Sequence, residues 1–181
     1  MIDRYVSIVR DSLYKYLSDS CRYNGQVIIV NNHELTSGGG NYTGNILMNV
    51  ASICVKDDLN NNMPQYVRNG SNYIVKKSPV NVYVYVFFHS YFFGDNALEG
   101  IKFLSHTIGF FKEHCHFSSM QFPKMVEFGI GDFNVTLEND HDEIFTHLGI
   151  PYIPSVLYKI GLIPITSETP NIETIPSIKR I

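Results

Sequence analysis

The stretch HTIGFFKEHCHF holds the side chains of this sequence that are best suited to bind a metal ion. Its imidazole and thiol groups suit zinc; they belong to His106, His114, Cys115 and His116. His114 and His116 cannot share one face of a helix, so they can bind one ion only if the chain unwinds there. The other such cluster is Asp140-His141-Asp142. One hypothesis is therefore a small zinc-dependent enzyme that uses His114, His116 and either Asp140 or His141; the alternative is a polar helix end.

The glycines of SGGGNYTG have the spacing of a phosphate-binding loop at Gly39 and Gly44. Such a loop continues with Lys and then Ser or Thr, which reach phosphate and magnesium, whereas Asn45 and Ile46 follow here. No serine lies in a Gly-x-Ser-x-Gly elbow. The sequence therefore favours a mobile connection over a nucleotide site, and we expect no catalytic residue, no cofactor and no metal.

Charge and composition favour a protein partner over nucleic acid or a membrane. The formal net charge is −3, and the aromatic run Val80–Phe93 carries no Arg or Lys, so it lacks the basic groups of a nucleic-acid surface. The apolar segment Val82–Phe88 has about seven residues, whereas a membrane-spanning helix needs roughly 20. Three cysteines without a disulfide pattern and an N-terminus without a signal-peptide pattern favour a reducing compartment.

Hydrophobic periodicity predicts two long helices. The first begins at the N-terminus, and its apolar face is Ile2, Val6, Val9, Leu13 and Tyr16. The second is capped by Asp95 or Asn96 and ends near His114. Its predicted buried stripe is Leu98, Ile101, Leu104 with Phe103, Ile108 and Phe111.

Short apolar or alternating runs predict strands in QVIIVN, ILMNVASICV, GDFNVTLEN, SVLYKIGLIPI and the run Val80–His89. The Asn-Gly pair in YVRNGSNYIV predicts a hairpin. NNHELTSGGGNYTGN is predicted to be a flexible loop, and DHDEIFTHLG a short helix that ends at Gly149.

This order of elements predicts an α+β domain with a mixed, mostly antiparallel sheet and helices on one face. We expect one domain at 1–165 and an extended C-terminal arm at 166–181. The run Val80–His89 is predicted to be a central strand, because one face carries aliphatic side chains and the other carries aromatic ones. The second helix should cover one of these faces. Either the first helix or a neighbouring subunit should cover the other, and the sequence does not decide between them.

Four segments in a fixed order resemble the N-terminal domain of the cap, or tube-terminator, proteins of contractile injection systems. These machines resemble phage tails and include the antifeeding prophage and the Photorhabdus virulence cassettes. The segments are VYVYVFFHSYF after Pro79, ALEGIKFLSHTIGFFKEHCHF, FNVTLENDHDEIFTHLG and YIPSVLYKIGLI, from about Pro79 to Ile165.

The resemblance implies a fold like that of phage tail terminators and a structural role without catalysis. A ring of copies, expected to be a hexamer, would sit on the end of the inner tube, stop tube growth and contact the sheath. It implies assembly in the bacterial cytoplasm, into a particle that is either released or anchored to a membrane. A monomeric adaptor of the same machine is a further alternative. The expected interface residues are Tyr152, Pro154, Ser155, Tyr158, Lys159, Ile172, Ile175 and Ile178, the last three on an arm that adds a strand to a neighbour's sheet.

Overall fold

The computed structural model of the chain describes residues 1–37, 41–56, 65–69, 72–76, 79–139, 153–165 and 173–176, with the backbone alone at 36–37, 65–69, 72–76 and 173–176. The helices are α1 (Ile2–Cys21), α2 (Asn32–Ser37), α3 (Ala97–Glu113) and α4 (Lys124–Phe128). The strands are β1 (Val27–Val30), β2 (Asn45–Val55), β3 (Gln65–Asn69), β4 (Asn72–Lys76), β5 (Val80–Tyr91), β6 (His116–Phe117), β7 (Phe133–Glu138), β8 (Ser155–Ile165) and β9 (Glu173–Pro176). Within these ranges no helix has the length and apolar character needed to cross a membrane. The predicted short helix DHDEIFTHLG lies outside them.

Six strands form the main sheet, in the order β1-β2-β5-β8-β7-β6. β1 and β2 run parallel, and the other neighbouring pairs run antiparallel. β5 lies between the two other long strands, β2 and β8, because its backbone pairs with both. The prediction of an α+β fold with a mixed, mostly antiparallel sheet is confirmed, and β5 is the central strand that the sequence predicts.

Helices α1 and α3 pack on the same face of this sheet. Val84, Val86 and Phe88 of β5 share one hydrophobic core with both helices, and α1 contacts α3 directly. The α1 side chains with no exposed surface are Val9, Leu13 and Leu17. The predicted first helix is therefore confirmed, and its position means that α1 does not cover the opposite face of β5.

A buried tyrosine joins the end of α1 to the edge of the sheet. The Tyr23 hydroxyl accepts the Ile46 N–H at 2.8 Å and donates to the Gln26 carbonyl at 2.8 Å. Gly25 lies so close that a Cβ there would be 2.3 Å from the Gly44 carbonyl oxygen. Burial raises the pKa of Tyr23 to about 12, so the phenol keeps the proton that this arrangement needs.

The buried face of α3 differs from the predicted stripe. Phe103, Leu104 and Phe111 are buried, as predicted, but Leu98, Ile101 and Ile108 are 80%, 48% and 38% exposed. The remaining buried positions are Gly100, Thr107 and Phe110. The physical reason is that the aromatic side chains of α3 bury more apolar area than the aliphatic ones. The helix is therefore rotated so that its phenylalanines face the sheet.

The start of α3 also corrects a prediction. Gly94–Asn96 form a 3₁₀ turn, and Asn96, the N-cap residue, makes no side-chain capping hydrogen bond. A Cβ at Gly100 would lie 2.3 Å from the Ser90 hydroxyl oxygen. The close approach of α3 to β5 at this glycine, rather than an Asp95 or Asn96 cap, sets the helix against the sheet.

Part of the predicted flexible loop is helical, since Asn32–Ser37 form α2. The Asn31 N–H donates to the Glu34 carboxylate at 2.8 Å, and the Glu34 N–H donates to the Asn31 side-chain oxygen at 2.9 Å. This reciprocal capping arrangement stabilises the first turn. Leu35 then packs with Val30 and Leu47 on the face of the sheet opposite to α1 and α3.

A second, three-stranded sheet has the order β3-β4-β9. β3 and β4 pair antiparallel around the Asn-Gly position, which confirms the predicted hairpin. β9 lies within the predicted arm and pairs antiparallel with β4 of the same chain. The division into a domain at 1–165 and an arm at 166–181 remains a prediction.

Candidate interaction surfaces

Two of the histidines that suggested a zinc site, His114 and His116, contact different neighbouring side chains. α3 ends at Glu113, so the chain does unwind before His116, as a zinc site would require. The His114 ring packs against Phe110, with ring centroids 4.9 Å apart, whereas His116 Nδ1 lies 2.8 Å from the Asn134 side-chain oxygen. In the ranges given above, no three His, Cys, Asp or Glu side chains form a group that could hold a metal. Asp140 and His141 lie outside those ranges, so the zinc hypothesis gains no support.

The face of the sheet opposite to α1 and α3 is buried at one end. His89 and Phe87 have no exposed surface there, and their rings stack with centroids 5.3 Å apart. The Ser155 hydroxyl donates to the Ile153 carbonyl at 2.7 Å, so it is an acceptor for His89 Nδ1–H, which lies 2.6 Å away. Burial lowers the pKa of His89 to about 4. This end is therefore a packed region that contains a neutral imidazole.

The other end of the same face carries the half-exposed side chains of Tyr83, Tyr85, Glu138 and Lys159 and the exposed thiol of Cys54, which together we call the tyrosine–lysine patch. Strand register brings them together, because Cys54 pairs with Tyr83 and Tyr85 pairs with Lys159. Tyrosine with an apolar ring and a polar hydroxyl is enriched at protein interfaces. The patch is therefore a candidate contact surface for another protein.

An ion pair and a cation–π contact order the patch. Lys159 pairs with Glu138, and its Nζ lies 5.5 Å from the Tyr83 ring centroid. The hydrogen bond to Glu138 raises the pKa of Lys159, and burial raises the pKa of Tyr85. At neutral pH Lys159 is therefore protonated beside Glu138, and the Tyr85 phenol is neutral.

The exposed side of α3 forms a second candidate surface. We call Leu98, Ile101 and Ile108 the α3 outer stripe, since they lie on the helix surface that does not contact the sheet. Isolated apolar side chains on a surface are ordinary, but these three lie along one side of the helix, with the exposed Ser105 between Ile101 and Ile108. The stripe is chemically unlike the tyrosine–lysine patch, because its three side chains are aliphatic and carry no charge.

The predicted interface residues fall into three groups. Lys159 belongs to the tyrosine–lysine patch, and Pro154 is exposed next to the half-buried Ser155. Tyr158 is only 2% exposed and packs against Phe111, with centroids 4.5 Å apart; its interface role remains a prediction, and its burial counts against it.

The arm residues are described only in part. Ile175 lies in β9, where its backbone is the register partner of Tyr73. Tyr152, Ile172 and Ile178 lie outside the described ranges. An interface role for these four residues remains a prediction.

Sequence reasoning put Tyr83 and Tyr85 on one aromatic face of β5 from the alternation of VYVYV, but it did not name them among the interface residues, and it missed Glu138. Their position next to Lys159 depends on the register between β5 and β8. No local pattern contains this register, because the two strands are far apart in sequence.

Comparisons with known proteins identify a family and a solved structure with a similar fold. The model of a family described as the Pvc16 N-terminal domain matches residues 7–177. No curated protein matches the chain. Among solved structures, the fold is similar to a chain of a cryo-EM structure described as the PVC sheath/tube terminator of an extracellular contractile injection system, in its extended state. The TM-score is 0.66 at 10% identity, over 100% of this chain and 61% of that one.

Proposed function

Because the chain belongs to the Pvc16 N-terminal domain family, we propose that it is a cap protein that terminates the inner tube of a contractile injection system. The supporting observation is the family match over residues 7–177, together with a fold similar to that of a sheath/tube terminator. The chain spans 61% of that terminator's length. The proposal therefore covers only the part of the terminator that this chain matches.

We propose that several copies close into a ring, expected to be a hexamer, on the end of the tube. Contacts that repeat head to tail and close on themselves produce such rings. The tyrosine–lysine patch supports a copy-to-copy contact, since α1 leaves that face of β5 uncovered and its tyrosines are half-exposed. Of the two covers that the sequence offered for this face, the first helix and a neighbouring subunit, only the neighbouring subunit remains.

The α3 outer stripe suits a different partner within the same particle. Its three side chains are aliphatic, whereas the tyrosine–lysine patch is polar and carries an ion pair. A ring on the end of a tube must also contact the tube and the sheath, so we assign the stripe to one of these two proteins. Assembly would take place in the bacterial cytoplasm, before the particle is released or anchored.

The proposal predicts that the chain controls tube length. Particles assembled without it should contain tubes and sheaths of broad and extended length, and addition of the chain should restore a narrow distribution, measured by electron microscopy. An unchanged distribution in its absence would contradict a terminator role.

Two tyrosines of the patch provide a sharper variant of this experiment. Tyr83→Thr combined with Tyr85→Thr keeps strand-forming side chains but removes both rings, and tyrosine is enriched among the interface residues whose truncation costs about 2 kcal/mol or more. The double variant should fold and yet require at least about tenfold more protein to restore the length distribution. Tyr14→Thr removes an exposed tyrosine from α1, outside the patch, and should behave as wild type. Equal behaviour of all three proteins would show that the patch takes no part in the ring contact.

A further inference from the structure

The arm and the β3–β4 hairpin leave the main sheet at the same end. β5 begins at Val80 and β8 ends at Ile165, and these two residues are register partners. The hairpin lies in the connection between β2 and β5, whose strands are still paired at Val55 and Val82. The arm that carries β9 therefore leaves β8 close to the point where the β3–β4 hairpin leaves the main sheet.

β9 is attached to the rest of the molecule by a short ladder. Its four residues pair with β4 at Asn72–Pro176, Tyr73–Ile175, Ile74–Thr174 and Val75–Glu173. Among the described elements, β4 is the one with which β9 makes extensive contact. Four residues are at the short end for strands. Few backbone hydrogen bonds therefore hold β9 on the β4 edge.

Exposed apolar side chains surround this end of the sheet. Ile53 and Val55 of β2 are 52% and 58% exposed, and Val80 of β5 is 39% exposed. Register places Val55 beside Val82 and Ile53 beside Val84, so these side chains extend the helix-covered face beyond the helices. A surface of this kind is typical of a contact with another subunit.

We propose that in the assembled ring β9 of one copy pairs with β4 of the neighbouring copy, in the register that it has within a single chain. This rests on the proposed function, because the neighbour must be another copy in the same ring. The strand exchange uses the same backbone hydrogen bonds in either arrangement, as in domain swapping. Its partner is therefore a second copy of this chain, and its acceptor is the β4 edge.

Geometry and concentration decide which arrangement forms. Seven residues, 166–172, join Ile165 to Glu173, and such a segment spans at most about 25 Å. In a free chain the arm meets its own hairpin first, so pairing within the chain dominates. In a ring the neighbour's β4 is held within reach at a high effective concentration, which makes pairing between copies competitive. The exposed apolar surface at the root of the hairpin is then buried at the same time.

Disulfide trapping distinguishes the two arrangements. Ile74 and Thr174 are register partners, and partners in an antiparallel pair have Cα atoms about 4.5–5.5 Å apart, within the range of a disulfide. The experiment uses the full chain with Cys21, Cys54 and Cys115 replaced by Ser. Chains with Ile74→Cys alone and chains with Thr174→Cys alone are mixed, assembled into particles and treated with a mild oxidant. Any disulfide between these two variants joins two different chains.

The exchange predicts a covalent dimer from the mixed particles, at least about tenfold above the control pair. The control mixes Val67→Cys chains with Ile74→Cys chains, because Val67 also pairs with Ile74 but within the hairpin that does not exchange. A single chain with both Ile74→Cys and Thr174→Cys tests the register, and as a free protein it should form its disulfide within the chain.

Each other outcome has a defined meaning. If the doubly substituted chain crosslinks internally even in particles and the mixture gives no dimer, the exchange is wrong and the cap function is unaffected. If the doubly substituted free chain forms no disulfide, the β4–β9 register is wrong and the exchange falls with it. If the chain is absent from the ends of particles, the proposed function fails, and the exchange fails with it because no neighbouring copy is present.

Discussion

At the scale of single residues, the buried His89 makes stability depend on pH. Its pKa is lowered from 6.5 to about 4 by burial, so the folded state binds fewer protons than the unfolded state between these values. Stability is therefore fully present above about pH 6.5 and is lost as the pH falls towards 4. The loss attributable to this residue is up to about 3 kcal/mol.

The prediction is tested with His89→Gln, which keeps an uncharged polar side chain that can still reach Ser155. The free energy of unfolding is measured by denaturant titration at several values between pH 7 and pH 4. The variant should lose less stability than wild type across this range, while His116→Gln, at an exposed position, should follow wild type. Parallel curves for His89→Gln and wild type would show that the imidazole is not desolvated in the folded protein.

Residue patterns identified Lys159 of the tyrosine–lysine patch but not the side chains around it. Lys159 could be named from the sequence, because it lies in a segment that resembles the family. Its ion pair with Glu138 joins β7 to β8, and its contact with Tyr83 joins β8 to β5. These neighbours are fixed by strand pairing over long sequence distances, which local patterns do not contain.

At the scale of elements, α3 offers two leucines that the sequence placed on one face and the fold places on opposite ones. Leu104 is 8% exposed and Leu98 is 80% exposed. Leu104→Ala should lower the free energy of unfolding by about 2–5 kcal/mol, because it leaves a cavity in the core. Leu98→Ala should change it by less than about 0.5 kcal/mol. Similar losses for the two variants, in denaturant titrations, would mean that the helix is rotated from the position described.

The existence of α3 could be predicted because its periodicity is strong, whereas its rotation could not. Leu98, Ile101 and Ile108 fit an apolar stripe as well as Phe103 and Phe110 do, and the choice depends on what the sheet presents. Ser90 and Phe92 lie so close to position 100 that a side chain larger than glycine does not fit there. This contact fixes the rotation of α3 about its own axis.

The missed helix α2 had a local signal. Asn31 and Glu34 have the three-residue spacing of a capping box. The six-residue length of the helix and the glycines that follow it favoured a loop instead.

At the scale of the whole molecule, the order of strands and helices could be predicted because each long element has a clear period. The sheet order β1-β2-β5-β8-β7-β6 required the structure, since the sequence contains no register between distant strands. The placement of α1 and α3 on one face excludes α1 as the cover of the opposite face of β5. The opposite face is packed at its His89 end, and at its Tyr83 end we assign it to a neighbouring subunit.

The position of the chain in assembled particles tests the central claim most directly. A small tag is placed on the full-length chain, particles are assembled with it, and the tag is located by gold labelling and electron microscopy. A cap predicts label at one end of each particle, at the end of the tube away from the baseplate. Label along the length of the particles or at the baseplate end would contradict the account.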